Sequence, residues 1–261
     1  GTSAGDDTIS FEGSTADSTL TVAEDGIDGD DTITGGSGTD TLTITFDGTG
    51  ITSTEMAGIT KIDTIKTATD AAGSLTLSDN NVVSTVLTVN AAANTSAAFT
   101  IDASAENDGT ITYTGGAGID TVTGTDTTAT GDTISSGAGA DVITGGLGGD
   151  TITGGAGADT FTYTAVGQST GSARDSITDY TSGTDLFSFT INNSTSTTGQ
   201  TYDATIQTAR AGTSLVQSNL SGSIGQAIYD TTNSRLIVNA NADNLVTTLD
   251  YQIDVNAGTT A

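Results

Sequence analysis

The sequence has no cysteine, proline, histidine or tryptophan. Lys and Arg total only 5 of its 261 residues. Without cysteine there is no disulfide framework, so stability has to come from another source, and a bound ion is the obvious candidate. Without histidine or cysteine, zinc lacks its usual ligands, and general-base or thiol catalysis lacks its usual groups. Five scattered cations cannot make the basic footprint that nucleic acid or an anionic membrane surface requires. No apolar run approaches the length of a membrane span. The chain opens at Gly1 with polar turn sequence, which shows no secretory leader and suggests a processed or excised piece.

What is present is acid. Asp and Glu total 32, giving a formal net charge of -27. Only Glu12, Glu24, Glu55 and Glu106 are Glu; the remaining 28 are Asp. Glu favours helices, whereas Asp favours turns and holds its carboxylate close to the backbone, as an oxygen-ligand cation site in a tight loop requires. High charge with few aromatics also fits disorder. Against it, 34% of the residues are hydrophobic, and they are patterned.

The pattern is a nine-residue repeat. Gly115–Thr123 (GGAGIDTVT) is one copy, and 136–144 (SGAGADVIT), 145–153 (GGLGGDTIT) and 154–162 (GGAGADTFT) follow in tandem. Residues 127–135 are a degraded copy in frame, 26–34 and 35–43 form an upstream pair, and 2–10 are a weak opening copy. In each unit glycines open a tight turn. An Asp at the sixth position and a short strand follow, with one large apolar residue turned inward. That residue is Ile9, Ile33, Leu42, Val122, Ile134, Ile143, Ile152 or Phe161. One such triplet buries too little to stand alone; stacked triplets bury a continuous ladder.

The predicted fold class is all-β: a parallel β-roll or β-solenoid with a β-rich C-terminal cap. Three regions are expected. Residues 1–114 form a solenoid-like or sandwich segment with degenerate repeats, 115–162 the roll, and 163–261 the cap and export region. In the first, alternation marks strands at 42–46, 75–77, 83–89, 99–101 and 111–113. A short helix is expected at 53–57 with Ser53 or Thr54 as its cap. In the last, strands are expected at 177–180, 186–189, 227–229, 236–238 and 251–255, with part of 204–220 helical.

Two nonapeptides make one coil, so Asp132 should stack over Asp150 and Asp141 over Asp159. Carboxylates about 4.8 Å apart, the spacing of neighbouring strands, repel by roughly 3 kcal/mol at an effective dielectric near 20. A divalent cation reverses the sign, and an all-oxygen site of carboxylates and carbonyls suits Ca²⁺ better than Mg²⁺. The candidate carboxylate ligands are Asp120, Asp132, Asp141, Asp150 and Asp159, then Asp30, Asp31 and Asp40. For each, the alternative is a solvated surface acid.

The tandem units resemble the RTX family of bacterial proteins exported by type I secretion. The segment 164–185, with Asp175, Ile177, Asp179, Tyr180, Gly183 and Asp185, resembles the stretch that follows the roll in serralysin-type tails, although Leu186-Phe-Ser-Phe stands where Lys-Ile-Asp-Leu is usual. Residues 228–243 resemble the family's closing hairpin, with Asn239 where Asp is common. Residues 44–110 resemble β-rich segments of bacterial surface-layer proteins. The resemblance implies several bound Ca²⁺ ions. It adds the carbonyls of Gly137, Ala138 and Gly139, of Gly145, Gly146 and Leu147, and of Gly154, Gly155 and Ala156 as ligands. It also implies the type I secretion machinery as a partner, and an extracellular or cell-surface location in a Gram-negative-type bacterium. Function is expected to be structural: a subunit that folds on Ca²⁺ and polymerises with itself as a surface layer, sheath or fibre. The other reading is the C-terminal folding and export module of a larger secreted enzyme or adhesin. An enzyme in its own right is not expected, nor nucleic-acid binding, nor membrane insertion.

Overall fold

The computed structural model describes residues 5–82, 86–128, 130–190, 200–203, 227–230, 233–238 and 250–257. They form a parallel β-solenoid whose longest sheet runs nearly the whole length of the chain. Eight of its strands are β2 (Ser18–Ala23), β4 (Asp40–Thr45), β6 (Thr64–Thr67), β8 (Val86–Asn90), β10 (Thr110–Thr114), β12 (Thr133–Ser135), β14 (Thr151–Thr153) and β16 (Ser176–Tyr180). They pair in parallel, each with the strand one turn later, so the path from β2 to β16 makes about seven turns. A second parallel sheet alternates with it along the chain: β7 (Gly73–Thr76), β9 (Phe99–Asp102), β11 (Thr121–Thr123), β13 (Val142–Thr144), β15 (Thr160–Tyr163) and β17 (Leu186–Phe189). The N-terminal turns carry a small third sheet of β1 (Thr8–Ser10), β3 (Thr32–Thr34) and β5 (Ile59–Thr60).

Period-2 alternation explains the core. In the long sheet Leu42, Ile65, Val89, Tyr113, Ile134, Ile152 and Ile177 lie in one register column, each on its predecessor, and all are buried. The second sheet supplies a matching column of Leu75, Ile101, Val122, Ile143, Phe161 and Phe187. Each buried aliphatic side chain contributes roughly 1.5–3 kcal/mol. A short strand therefore holds only because its neighbours extend the ladder. The same sheets run without interruption past residues 114 and 162, so the segment without the glycine code is solenoid as well.

Towards the C-terminus the aliphatic column becomes aromatic. Phe187 stacks on Tyr180 with ring centroids 5.0 Å apart and lies 5.6 Å from Phe161. Tyr163 stacks on Phe189 at 5.4 Å, and Tyr251 closes the group at 5.0 Å from Phe189. The pairing then changes sense. β18 (Gln200–Asp203) is antiparallel to β17. β19 (Ala227–Asp230) and β20 (Arg235–Val238) form an antiparallel hairpin, and β20 pairs antiparallel with β21 (Tyr251–Ala257). β21 in turn pairs parallel with β16, which joins the hairpin to the end of the solenoid.

The expected short helix is α1 (Ser53–Met56), but its N-cap is Thr52 rather than Ser53 or Thr54. Thr52 receives the Glu55 amide, and the Glu55 carboxylate reaches back to the Thr52 amide at 2.6 Å, completing a capping box. The strand expected at 83–89 begins at Val86, and residues 83–85 lie outside the described residues. The helical stretch expected within 204–220 and the tail positions 239–243 lie outside them too. No helix among the described residues is long and apolar enough to cross a membrane.

Candidate metal centre

The repeat aspartates occupy two columns of turns. One column leads from the long sheet to the second: the turns 115–120, 136–141, 154–159 and 181–185. The other leads back: 124–132, 145–150 and 164–175. Each aspartate follows its turn and opens the next strand.

Between residues 99 and 185 successive coils are tied by one recurring bond. The amide of Asp132 donates to Oδ1 of Asp150 at 2.7 Å, across 18 residues. The amide of Asp141 donates to Oδ1 of Asp159 at 3.0 Å, again across 18. Eighteen is two nonapeptides, so Asp132 does lie over Asp150 and Asp141 over Asp159. The series continues upstream, where Asp120 N donates to Asp141 Oδ1 at 2.8 Å, Ile111 N to Asp132 Oδ1 at 2.8 Å and Phe99 N to Asp120 Oδ1 at 3.0 Å. Downstream, Asp150 N donates to Asp175 Oδ1 at 3.0 Å and Asp159 N to Asp185 Oδ1 at 3.1 Å.

The carboxylates do not simply face one another across the column. One oxygen is engaged by the preceding coil, and the other turns towards the glycines of its own repeat. A Cβ placed on Gly145 would fall 2.2 Å from Asp150 Oδ2, and one on Gly154 would fall 2.5 Å from Asp159 Oδ2. Oδ2 of Asp141, Asp150, Asp159 and Asp175 is buried and has no hydrogen-bond partner. An unpartnered carboxylate oxygen with no access to water is costly.

Stacking of the turns crowds the backbone to the same end. Gly137 and Gly155 adopt φ of 102° and 100°, and a Cβ on Gly155 would lie 1.8 Å from the Gly137 carbonyl oxygen. No other residue fits there. Ala156 N donates to the Gly137 carbonyl at 2.8 Å, Gly139 N to the Ala156 carbonyl at 2.8 Å, and Leu147 N to the Thr125 carbonyl at 3.1 Å. Gly154 O accepts from Ser136 Oγ at 2.9 Å. Each carbonyl used this way keeps a second lone pair. Ala138, Gly145 and Gly146 lie in the same turns.

Among the described residues no group of three or more acids is placed to hold a metal. Each site offers one orphaned carboxylate oxygen in a loop of backbone carbonyls, an all-oxygen donor set that fits a hard cation such as Ca²⁺. In the ion-free chain burial pushes these acids up: Asp150 to about 7, and Asp132 and Asp159 to about 6. Asp141 and Asp120 shift in the same direction for the same reason. Asp175 lies well above its ordinary value through burial and the charge of Asp150.

The upstream candidates are arranged differently. Asp40 is buried, its amide donates to Asp63 Oδ2 at 2.7 Å, and its Oδ1 has no partner. Asp31 is buried with both oxygens engaged, by the amides of Asp7 and Asp28, each at 2.9 Å. Asp30 is exposed. Two acids escaped the sequence reading. Asp63 is preceded by no glycine turn; its only signal was the D-x-I-x run of residues 63–66. Glu106 is fully buried, accepts from the amides of Asn81 and Val82 at 3.1 and 3.0 Å, and leaves Oε2 unpartnered. It imitates the aspartate bond from a segment with no repeat signature.

The model of the RTX calcium-binding nonapeptide repeat matches four copies, at residues 25–43 and 126–161. The chain carries RTX calcium-binding repeats. Such repeats bind calcium and mark β-roll proteins of the type I secreted class. The matched RTX spans include Asp30, Asp31 and Asp40 and, in the roll, Asp132, Asp141, Asp150 and Asp159. No curated protein matches the chain.

Proposed function

We propose that this RTX roll is an extracellular structural protein that folds on Ca²⁺ and then associates with copies of itself. The observation that carries this reading is the outer face of the long sheet. Thr19, Thr41, Thr64, Thr88, Thr112, Thr133, Thr151 and Ser176 form one unbroken register column. Beside it run Thr21, Thr43, Lys66, Asn90, Thr114, Ser135, Thr153 and Thr178, on the same outward side of the alternation. In a chain of net charge -27, these sixteen positions hold one cation and no acid. The repeat aspartates lie in the turns, where calcium would neutralise them; the strands keep a few acids, among them Asp179 and Asp254, and Asp254 follows Ser176 in the column and pairs with Arg174 and Arg235.

A hydroxylated sheet face that carries a single charge, Lys66, can meet its like once the turn charge is cancelled. Calcium then acts twice. It supplies the missing partner of the orphaned Oδ2 atoms, so that binding and folding are one equilibrium. It also lowers the repulsion between molecules by two charges per ion. Extracellular modules bind calcium with Kd of about 0.1–1 mM, which separates the outside of a cell from its interior. In this reading the aspartates serve the ladder and the ions, and the chain is not an enzyme.

The test is light scattering and negative-stain microscopy with and without millimolar Ca²⁺. Ordered sheets or filaments that dissolve on chelation are expected. Thr112→Lys with Thr133→Lys, which puts charge on the face without touching the turns, should block assembly and leave calcium-dependent folding intact. A calcium-saturated, folded protein that stays monomeric at high concentration overturns the proposal. It would favour a folding and export module of a larger secreted protein.

A further inference from the structure

The seven aspartates that end the turns of the two columns are not equivalent. Asp141, Asp150 and Asp159 each leave Oδ2 buried without a partner, and so does Asp175, beside which the buried Tyr163 hydroxyl also stands unpartnered. At three of the four ends of the columns the protein fills that role itself. Asp132 Oδ2 accepts from the Thr125 amide at 2.6 Å, and Asp185 Oδ2 from the Thr181 amide at 2.7 Å. The most telling case is Asp120. Its repeat, GGAGIDTVT, has every glycine of the motif, and Gly115 stands against the carboxylate as Gly145 and Gly154 do in their repeats. Yet Asp120 Oδ2 accepts from the Tyr113 hydroxyl at 3.0 Å and from the Gly116 amide at 3.4 Å.

Tyr113 reaches this position from inside the core. It lies in β10, in the column between Val89 and Ile134, and is 1% exposed. Its ring continues the apolar ladder while its hydroxyl, a donor that buried tyrosines need to satisfy, points into the turn. The two matched spans of the calcium-binding repeat, 25–43 and 126–161, leave out this otherwise complete unit.

We infer that Tyr113 closes the upstream end of the ion column: its hydroxyl takes the place of calcium at Asp120, so this repeat folds without an ion. The inference rests on the reading of the roll as a calcium site. Its consequence is a built-in template. The coil 110–123 can form from its own donors and present the Asp120 amide to Asp141, the first aspartate of that column whose Oδ2 needs an ion. Calcium-driven folding then starts on an existing edge instead of from an unfolded chain, which removes the costly first step of a stacked array.

The experiment counts ions. Calcium bound per chain is measured by equilibrium dialysis and calorimetry for the wild type, Asp120→Asn, Tyr113→Phe and the double variant. Circular dichroism at saturating calcium confirms the fold of each. Phe keeps the buried ring, and Asn keeps an acceptor for the Phe99 amide. Asp120→Asn should bind as many ions as the wild type. Tyr113→Phe should bind one more, and the double variant should lose that extra ion. Loss of one ion in Asp120→Asn alone overturns the closed end and leaves the calcium roll standing. An unchanged count in a folded Tyr113→Phe does the same. A wild type that binds no calcium overturns both.

Discussion

Asp150 holds the amide of Asp132 on one carboxylate oxygen and leaves the other buried without a partner. The two halves of that side chain have separate jobs. Oδ1 sets the register between coils, and Oδ2 waits for a cation. A column built this way is structurally complete only when each waiting oxygen is matched.

The first expectation follows from the sum of those oxygens. Four buried, unpartnered carboxylate oxygens and a charge of -27 should keep the roll open in chelator. Circular dichroism should show β signal lost on chelation and restored by millimolar Ca²⁺. Mg²⁺ should restore it poorly, because it is smaller, demands octahedral geometry and gives up water reluctantly. A spectrum unchanged by chelation would contradict the proposed role of calcium.

The two jobs of Asp150 can be separated by one atom. Asp150→Asn keeps an oxygen for the Asp132 amide but removes the charge that attracts the ion. It should fold at high calcium with its coil register kept, and its calcium midpoint should rise several-fold. Asp47 provides the comparison. It is exposed and bonded locally to Thr49, away from the turn columns. Asp47→Ala should move the midpoint little. Equal shifts in calcium titrations followed by calorimetry would count against the assignment.

Much of this was legible in the sequence, and the reason is periodicity. From 136 to 162 three unbroken nonapeptides set strand, turn and carboxylate at fixed steps, so the pairing of Asp141 with Asp159 could be read directly. Where coils lengthen, the step is no longer constant. Asp150 meets Asp175 across 25 residues and Asp159 meets Asp185 across 26, so counting nines could not find those partners. Upstream, Asp31 looked like a ligand because it precedes a repeat-like strand. Its two oxygens are taken by amides, a fact set by the chain path through Asp7 and Asp28. Glu106 and the Tyr113–Asp120 bond were invisible for the same reason. Each depends on which side chain the neighbouring coil delivers, and no one-dimensional pattern records that.

Acidity should act on the ion-free roll in the direction opposite to its action on calcium binding. Burial raises the folded-state pKa of Asp150 to about 7 and of Asp132 and Asp159 to about 6, against 3.8 for the ordinary carboxyl. Between these values the folded chain holds more protons than the unfolded one, so stability falls as pH rises. The contribution is fully present below about pH 4 and is lost through pH 6 to 7. In calcium-free buffer the roll, open at pH 8, should therefore regain β signal as the pH falls to 4.5. Calcium needs the ionised carboxylates, so its affinity should climb over the same interval, with protons released on binding. General relief of charge repulsion at low pH has the same sign, and substitution separates the two. Asp150→Asn should flatten the pH dependence of the calcium-free β signal. Asp47→Asn should not, because the Thr49 hydroxyl and amide hold the Asp47 carboxyl below its usual range and the group is exposed. Circular dichroism of the calcium-free chain across this range decides the matter. A β signal that rises steadily from pH 4.5 to pH 8 would mean that the buried carboxylates are not the groups that set the stability of the roll.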